Sequence, residues 1–177
     1  MESILEKAKK IKLVIFDVDG VLTDGRLYIP DEQIQYKAFH CHDGLGIKLL
    51  MQSGIQVGII TSHDSPLITH RMKSLGVSHV YQGQEKKMAA YVHLLETLGL
   101  KDEEVCYVGD DLPDLPLIRK AGLGITVANA PSFMYNHADW KTNQRGGHGA
   151  VREICELIMT AQNTLEPIYS EFLNESH

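Results

Sequence analysis

The feature that most constrains this chain is the regular alternation of short apolar runs with helical patterns. Residues 11–16 (IKLVIF), 55–60 (IQVGII), 77–81, 105–108 and 124–127 read as buried strands. Between them, helical patterns occupy 45–52, 66–75, 86–98 and 112–121, with turn glycines at Gly54 and Gly76. A last helix reads from 150 to 165, with Leu157, Ile158, Ala161 and Leu165 on one stripe. Alternating strand–helix units fold into a parallel sheet covered on both faces, so the expected class is a doubly wound, Rossmann-like α/β sheet. Residues 26–39 break the rule. Leu27 and Ile29 alternate with other neighbours, Pro30-Asp31-Glu32 turns the chain, and Ile34, Tyr36 and Ala38 share a face, which predicts a protruding β-hairpin. The segment after Pro167 is polar and is expected to be a mobile tail, 167–177.

At 177 residues the chain is long enough for one domain with one core. Its formal charge of -6 disfavours nucleic acid, which needs a basic surface. No apolar run is long enough to span a membrane, and the N-terminus lacks the apolar segment of a secretion signal. Cys41, Cys106 and Cys155 are widely spaced and odd in number, which fits reduced thiols in a cytoplasm.

In doubly wound sheets, ligands bind beyond the carboxyl ends of the strands. Asp17-Val18-Asp19-Gly20 follows the first strand and Thr61-Ser62 the second. Lys86 and Lys87 open the helix after the third, and Gly109-Asp110-Asp111-Leu112-Pro113-Asp114 follows the fourth. Taken singly, each has a plain reading: a turn aspartate, a helix cap, a solvated lysine. Taken together, they place several carboxylates, a hydroxyl and an ammonium at one crevice. Packed carboxylates repel unless a cation or protons neutralise them, and an all-oxygen donor set suits Mg²⁺. A carboxylate facing phosphorus can attack it, and a second carboxylate two residues on can move the proton.

The segments DVDGVLTDG, Thr61-Ser62, the downstream lysine and GDDLPD resemble the four motifs of the haloacid dehalogenase superfamily of phosphohydrolases. More narrowly, these together with KAF-x-x-x-DG-x-GIK, YQGQ-x-x-K and GG-x-GAVREIC resemble the family of 3-deoxy-D-manno-octulosonate (KDO) 8-phosphate phosphatases, which serve lipopolysaccharide synthesis. The resemblance implies that Asp17 is the nucleophile and a Mg²⁺ ligand. It makes Asp19 the general acid/base and a ligand through its main-chain carbonyl, and Asp110 the remaining protein ligand. Thr61 and Lys87 would hold the phosphoryl group, with Asp111 and Asp114 supporting the metal site. His40, Cys41, His42, Asp43, Gly44, Lys48, Ser62, His63 and Arg71 would line the substrate pocket with Asp19 and Lys87. The implied partner is a small phosphorylated sugar acid.

Three positions commonly Arg in such phosphatases are His here, namely His42, His63 and His148, and Ser62 stands where glycine is common. Imidazole offers fewer donors than the guanidinium fork, so the sugar acid stays open between KDO 8-phosphate and a sialic-type nine-carbon 9-phosphate. His40 and His42, at i and i+2, would share a strand face, and substrate binding or packing is favoured over a metal pair. No room exists for a cap domain between the motifs. The hairpin exposes Tyr28, Ile34 and Tyr36, and the resemblance implies a homotetramer whose neighbouring subunits close each site, with the loop 145–149 and the tail reaching an adjacent one. A phospho-accepting receiver module also groups Asp, Thr and Lys around Mg²⁺. There the acidic pair comes first and the acceptor later, the reverse of the order in this chain.

Overall fold

The computed structural model describes residues 3–29 and 36–174. In chain order the elements are α1 (Ile4–Lys9), β1 (Leu13–Phe16), α2 (Cys41–Gln52), β2 (Gln56–Ile60), α3 (Pro66–Leu75), β3 (His79–Tyr81), α4 (Lys87–Leu98) and β4 (Val105–Gly109). Then come α5 (Leu115–Lys120), β5 (Leu123–Thr126), α6 (Ser132–Tyr135), β6 (Trp140–Lys141), α7 (Ala150–Ala161) and α8 (Leu165–Asn174). The strands form one sheet in the order β3-β2-β1-β4-β5-β6, and every pairing is parallel. This is the doubly wound sheet expected from the alternation.

The strand order explains the composition of the strands. β1 and β4 are central and covered on both faces, so all of LVIF and VCYVG is buried, with no polar alternation. Right-handed crossovers place successive helices on the same face while the chain steps one way along the sheet, and on the other face when it steps back. Thus α2 packs against α3 and α7, while α4 packs against α5. The chain reverses direction between β1 and β4, and the crevice at their carboxyl ends is the natural ligand site.

Helix ends follow local chemistry. Ser65 caps α3 through its hydroxyl, with Pro66 in the first turn and Gly76 in the left-handed conformation at the end. α7 buries Val151, Ile154, Cys155 and Ile158 and packs against α2, α1 and α8. Cys106 and Cys155 are buried free thiols and Cys41 is exposed, as the odd count implied.

Several boundaries differ from the sequence expectation. The helix expected at 45–52 begins at Cys41, so His40 and His42 lie at a helix start, not on a strand; their rings meet edge-on, centroids 4.9 Å apart. The single helix expected over 150–165 ends at Ala161. Asn163 turns the chain with φ 58°, and α8 carries it onward with Leu165 and Ile168 buried. The segment expected as a tail from 167 is therefore helical to Asn174. Residues 24–29 and 36–40 carry no strand, and the turn expected at Pro30-Asp31-Glu32, with Ile34, lies outside the described residues. No helix among the described residues is long and apolar enough to cross a membrane.

Candidate active site

The first carboxylate is positioned by backbone pairing. Phe16 is in register with Ile59 of β2 and Val108 of β4, and the Asp17 amide extends that ladder by donating to Val108 O (3.0 Å). Thr61 is placed the same way beyond β2, its amide donating to Tyr81 O (3.0 Å). After Asp17 the chain turns sharply. The Val18 carbonyl accepts from the amides of Leu22 and Thr23, and the Thr23 hydroxyl accepts from Gly20 N and Gly25 N. Gly20 has φ +93°, and a Cβ there would overlap the Asp110 carboxylate. Glycine is required at this point by backbone conformation and by the approach of a neighbouring acid.

Lys87 opens α4 and is buried, with its Nζ 2.8 Å from Asp17 Oδ1 and 2.6 Å from Asp114 Oδ1. Lys86 faces solvent. Asp17, Asp19, Thr61, Ser62, His63, Lys87, Asp110, Asp111 and Asp114 therefore share one cavity of about 200 Å³, completed by Pro113. Carboxylate oxygens of Asp17, Asp110 and Asp114 lie within 4.8 Å of one another.

Distance alone does not make all three equivalent. Asp114 Oδ1 accepts from Lys87 and from the Tyr107 hydroxyl (2.6 Å each), and Oδ2 accepts from the amides of Asp110 and Asp111. Four donors saturate Asp114, which anchors Lys87 and the 110–111 backbone. Asp17 and Asp110 remain to face an ion. Asp111 accepts from Leu112 N (2.8 Å) and caps the short 3₁₀ turn at 112–114.

Electrostatics agree with a cation site. Burial, then repulsion from Asp114, pushes the Asp17 carboxyl up to about 6, against the pull of Lys87. Burial, then the charges of Asp17, Asp114 and Asp111, pushes Asp110 up to about 7. Burial also works to lower Lys87, but the charges of Asp17 and Asp114 prevail and hold it above the usual lysine range. Asp19 goes the other way: burial raises it, and the hydrogen bonds from His63 and Lys37 outweigh burial and hold its carboxyl below the usual carboxylate range. Hard oxygen donors, mutually repelling and short of positive charge, fit Mg²⁺.

Residues 60–154 match the family of haloacid dehalogenase-like hydrolases. The chain is 45% identical over 163 residues to the 3-deoxy-D-manno-octulosonate 8-phosphate phosphatase of Escherichia coli K12, covering 92% of this chain and 87% of that one. The chain belongs to the haloacid dehalogenase-like hydrolases. Among solved structures, the KDO 8-phosphate phosphatase of Moraxella catarrhalis, in complex with magnesium ion, phosphate ion and KDO, superposes with a TM-score of 0.93 at 46% identity, covering 96% of this chain and 97% of that one. The cobalt-bound deoxy-D-mannose-octulosonate 8-phosphate phosphatase of Haemophilus influenzae gives 0.86 at 41%, covering 89% and 92%.

Within this haloacid dehalogenase-like site, the residues assigned to chemistry from the sequence converge, and most of those assigned to the sugar do not line the cavity. Asp43 is buried, and its carboxylate accepts from Arg152 N (2.9 Å) and Gly149 N (3.4 Å), capping α7 from another helix. Arg71 lies across Gly44 and over the Phe39 ring, 5.7 Å from its centroid. Lys48 and Cys41 are exposed on α2. His42 and His148 line a separate cavity with Arg152. The loop 145–149 packs on its own chain: Gly147 N donates to Val21 O (2.9 Å), and Asn129 bridges Gly20 O and Gly146 N. Sequence reasoning missed Lys37, Tyr107 and Asn129. Lys37 lies in the KAF segment and had a signal in its motif; Tyr107 and Asn129 had none.

Proposed function

We propose that this chain is a Mg²⁺-dependent phosphomonoesterase that converts KDO 8-phosphate to KDO and phosphate. The observation that carries the reading is the buried Asp17 carboxylate, 2.8 Å from Lys87 Nζ, facing Asp110 in a cavity that also holds Asp19 and Thr61. The relatives' own activity supports the substrate.

Asp17 and Asp110, with the main-chain carbonyl of Asp19, would hold Mg²⁺. Mg²⁺, when bound, would supply the positive charge that these carboxylates and a phosphoryl oxygen lack. Lys87 and Thr61 bind the remaining phosphoryl oxygens and orient the phosphorus toward Asp17. An Asp17 oxygen bonds to phosphorus as the bond to the sugar oxygen breaks, and Asp19 gives that oxygen a proton. Asp19 then takes a proton from water, whose oxygen displaces Asp17 from phosphorus and releases phosphate. Acid in one step and base in the next, Asp19 returns to its starting state.

A sialic-type nine-carbon 9-phosphate is the second reading. It stays open because His63, whose Nδ1 lies 2.6 Å from Asp19, offers no guanidinium-like fork to a sugar acid carboxylate. We place the enzyme in the cytoplasm, in keeping with its free thiols. The exposed Leu27, Tyr28, Ile29 and Tyr36 support assembly with further copies of the chain, for which we propose a homotetramer; a monomer with full activity in ultracentrifugation would overturn the assembly.

The deciding experiment is a Mg²⁺-dependent phosphate-release screen over KDO 8-phosphate, sialic-type 9-phosphates and common sugar phosphates. KDO 8-phosphate is expected to give the highest kcat/KM. Asp17→Asn is expected to fold, to bind Mg²⁺ more weakly and to lose turnover. Residual turnover in that variant, or none in the unsubstituted chain, refutes the assignment.

A further inference from the structure

Asp19 is held from two sides. Lys37 Nζ donates to Oδ1, and His63 Nδ1 lies 2.6 Å from Oδ2. Lys37 belongs to no strand or helix and reaches back to the catalytic turn from the segment at 36–40. Its side chain is only 14% exposed, and among the described residues its ion-pair partner is Asp19. The His63 side chain is 59% exposed and belongs to the loop after β2.

The two contacts are unequal. An aspartate carboxylate turns about two side-chain torsions, and a donor on each oxygen is needed to fix both. The exposed imidazole is a weak holder by itself. The shielded ammonium is the stronger one, since charge-assisted bonds gain where water is excluded. Nothing in the Asp17–Lys87–Asp114 network touches the Asp19 carboxylate. The orientation of the acid/base is thus set by a group outside the four motifs.

We infer that Lys37 is a positioning residue for the second half of the reaction, holding the Asp19 carboxylate where it takes the proton of the attacking water. In that step the water oxygen bonds to phosphorus, the Asp17–phosphorus bond breaks, the water proton passes to Asp19, and phosphate leaves. The role rests on the phosphatase reading above and adds a residue to it. Formation of the phosphorylated Asp17 from an activated aryl ester needs no proton donor, because the phenolate leaves unaided. Loss of Lys37 therefore slows the second step and spares the first.

The test is Lys37→Met, with Mg²⁺ and p-nitrophenyl phosphate in stopped flow. The expected result is a nitrophenol burst approaching one per active site, then a steady rate reduced about 10- to 100-fold, the scale of a misplaced catalytic group. The value of kcat/KM stays within about three-fold, since it reports the first step. Steady rates for differently substituted phenyl phosphates become equal, because they share the same phosphorylated Asp17. Lys37→Arg, which keeps the charge, restores most of kcat and removes the burst. If Lys37→Met does not fold, Lys37→Gln is judged by the same criteria. Parallel loss of kcat and kcat/KM with no burst overturns the inference, because that marks general damage to the site. So does a rise in KM for the sugar acid phosphate with aryl phosphates unaffected, which marks a substrate contact. A lack of turnover by the unsubstituted chain overturns the phosphatase reading itself; normal turnover there with no burst in the variants removes only the role of Lys37.

Discussion

Lowering the pH should expel Mg²⁺ from this site well before it unfolds the protein. The metal-free carboxyls of Asp17 and Asp110 sit at about 6 and about 7, because burial and mutual repulsion penalise their charged forms. Mg²⁺ needs both ionised. At about pH 8 most molecules carry both charges, whereas at about pH 5.5 only about one in a hundred does, so the apparent affinity should fall by about two orders of magnitude. Stability runs the opposite way in the metal-free protein. Both groups bind protons more tightly folded than unfolded, so between about pH 4 and pH 7 the folded state carries more protons, and metal-free stability declines as pH rises through that window. Added Mg²⁺ reverses the decline above about pH 7 by binding only the folded, ionised site. Isothermal titration calorimetry with Mg²⁺ at several pH values, paired with thermal melts with and without the ion, measures both effects. An affinity changing by less than about three-fold across that range would show that the carboxylates are not the competing groups, and would refute the assignment of Asp17 and Asp110 as ligands.

Two further substitutions separate the site from its scaffold. Gly20→Ala forces a left-handed residue and a clash with Asp110; urea unfolding should show a loss of about 1–3 kcal/mol, and Mg²⁺ affinity should drop, whereas unchanged affinity would mean that Asp110 does not depend on this contact. Asp43→Ala removes the acceptor for two amides at the start of α7 and should cost about 1–3 kcal/mol of stability with KM nearly unchanged; a large rise in KM at intact stability would return Asp43 to substrate binding.

The clamp on Asp19 and the cap on α7 show where sequence reading reaches its end. Asp17, Thr61, Lys87 and Asp110 were recognisable because each follows a strand or opens the next helix, and a parallel sheet brings such positions to one edge whatever the side chains are. The apolar runs at β1 and β4 likewise carried their own meaning, since only strands covered on both faces lack polar alternation. The early start of α2 was not legible. Cys41, His42, Asp43 and Gly44 are poor helix formers, and Asp43 is drawn into the helix by two amides more than a hundred residues away. Tyr107, seven residues before the Asp114 that its hydroxyl bonds, and Lys37, eighteen residues after Asp19, lie closer in the chain, but neither pairing is written in the local periodicity.

By itself, the sequence determined the doubly wound parallel class, the crevice and the oxygen-rich chemistry at its rim, because these follow from local periodicity and from which residues end each strand. Only the tertiary structure decided which donors fix each aspartate. Asp114 is an anchor because Tyr107 and Lys87 converge on it, Asp43 is a cap because α7 begins beside it, and Asp19 is held because Lys37 folds back to it. A carboxylate's role depends on which donors surround it, and those donors come from parts of the chain that only folding brings together.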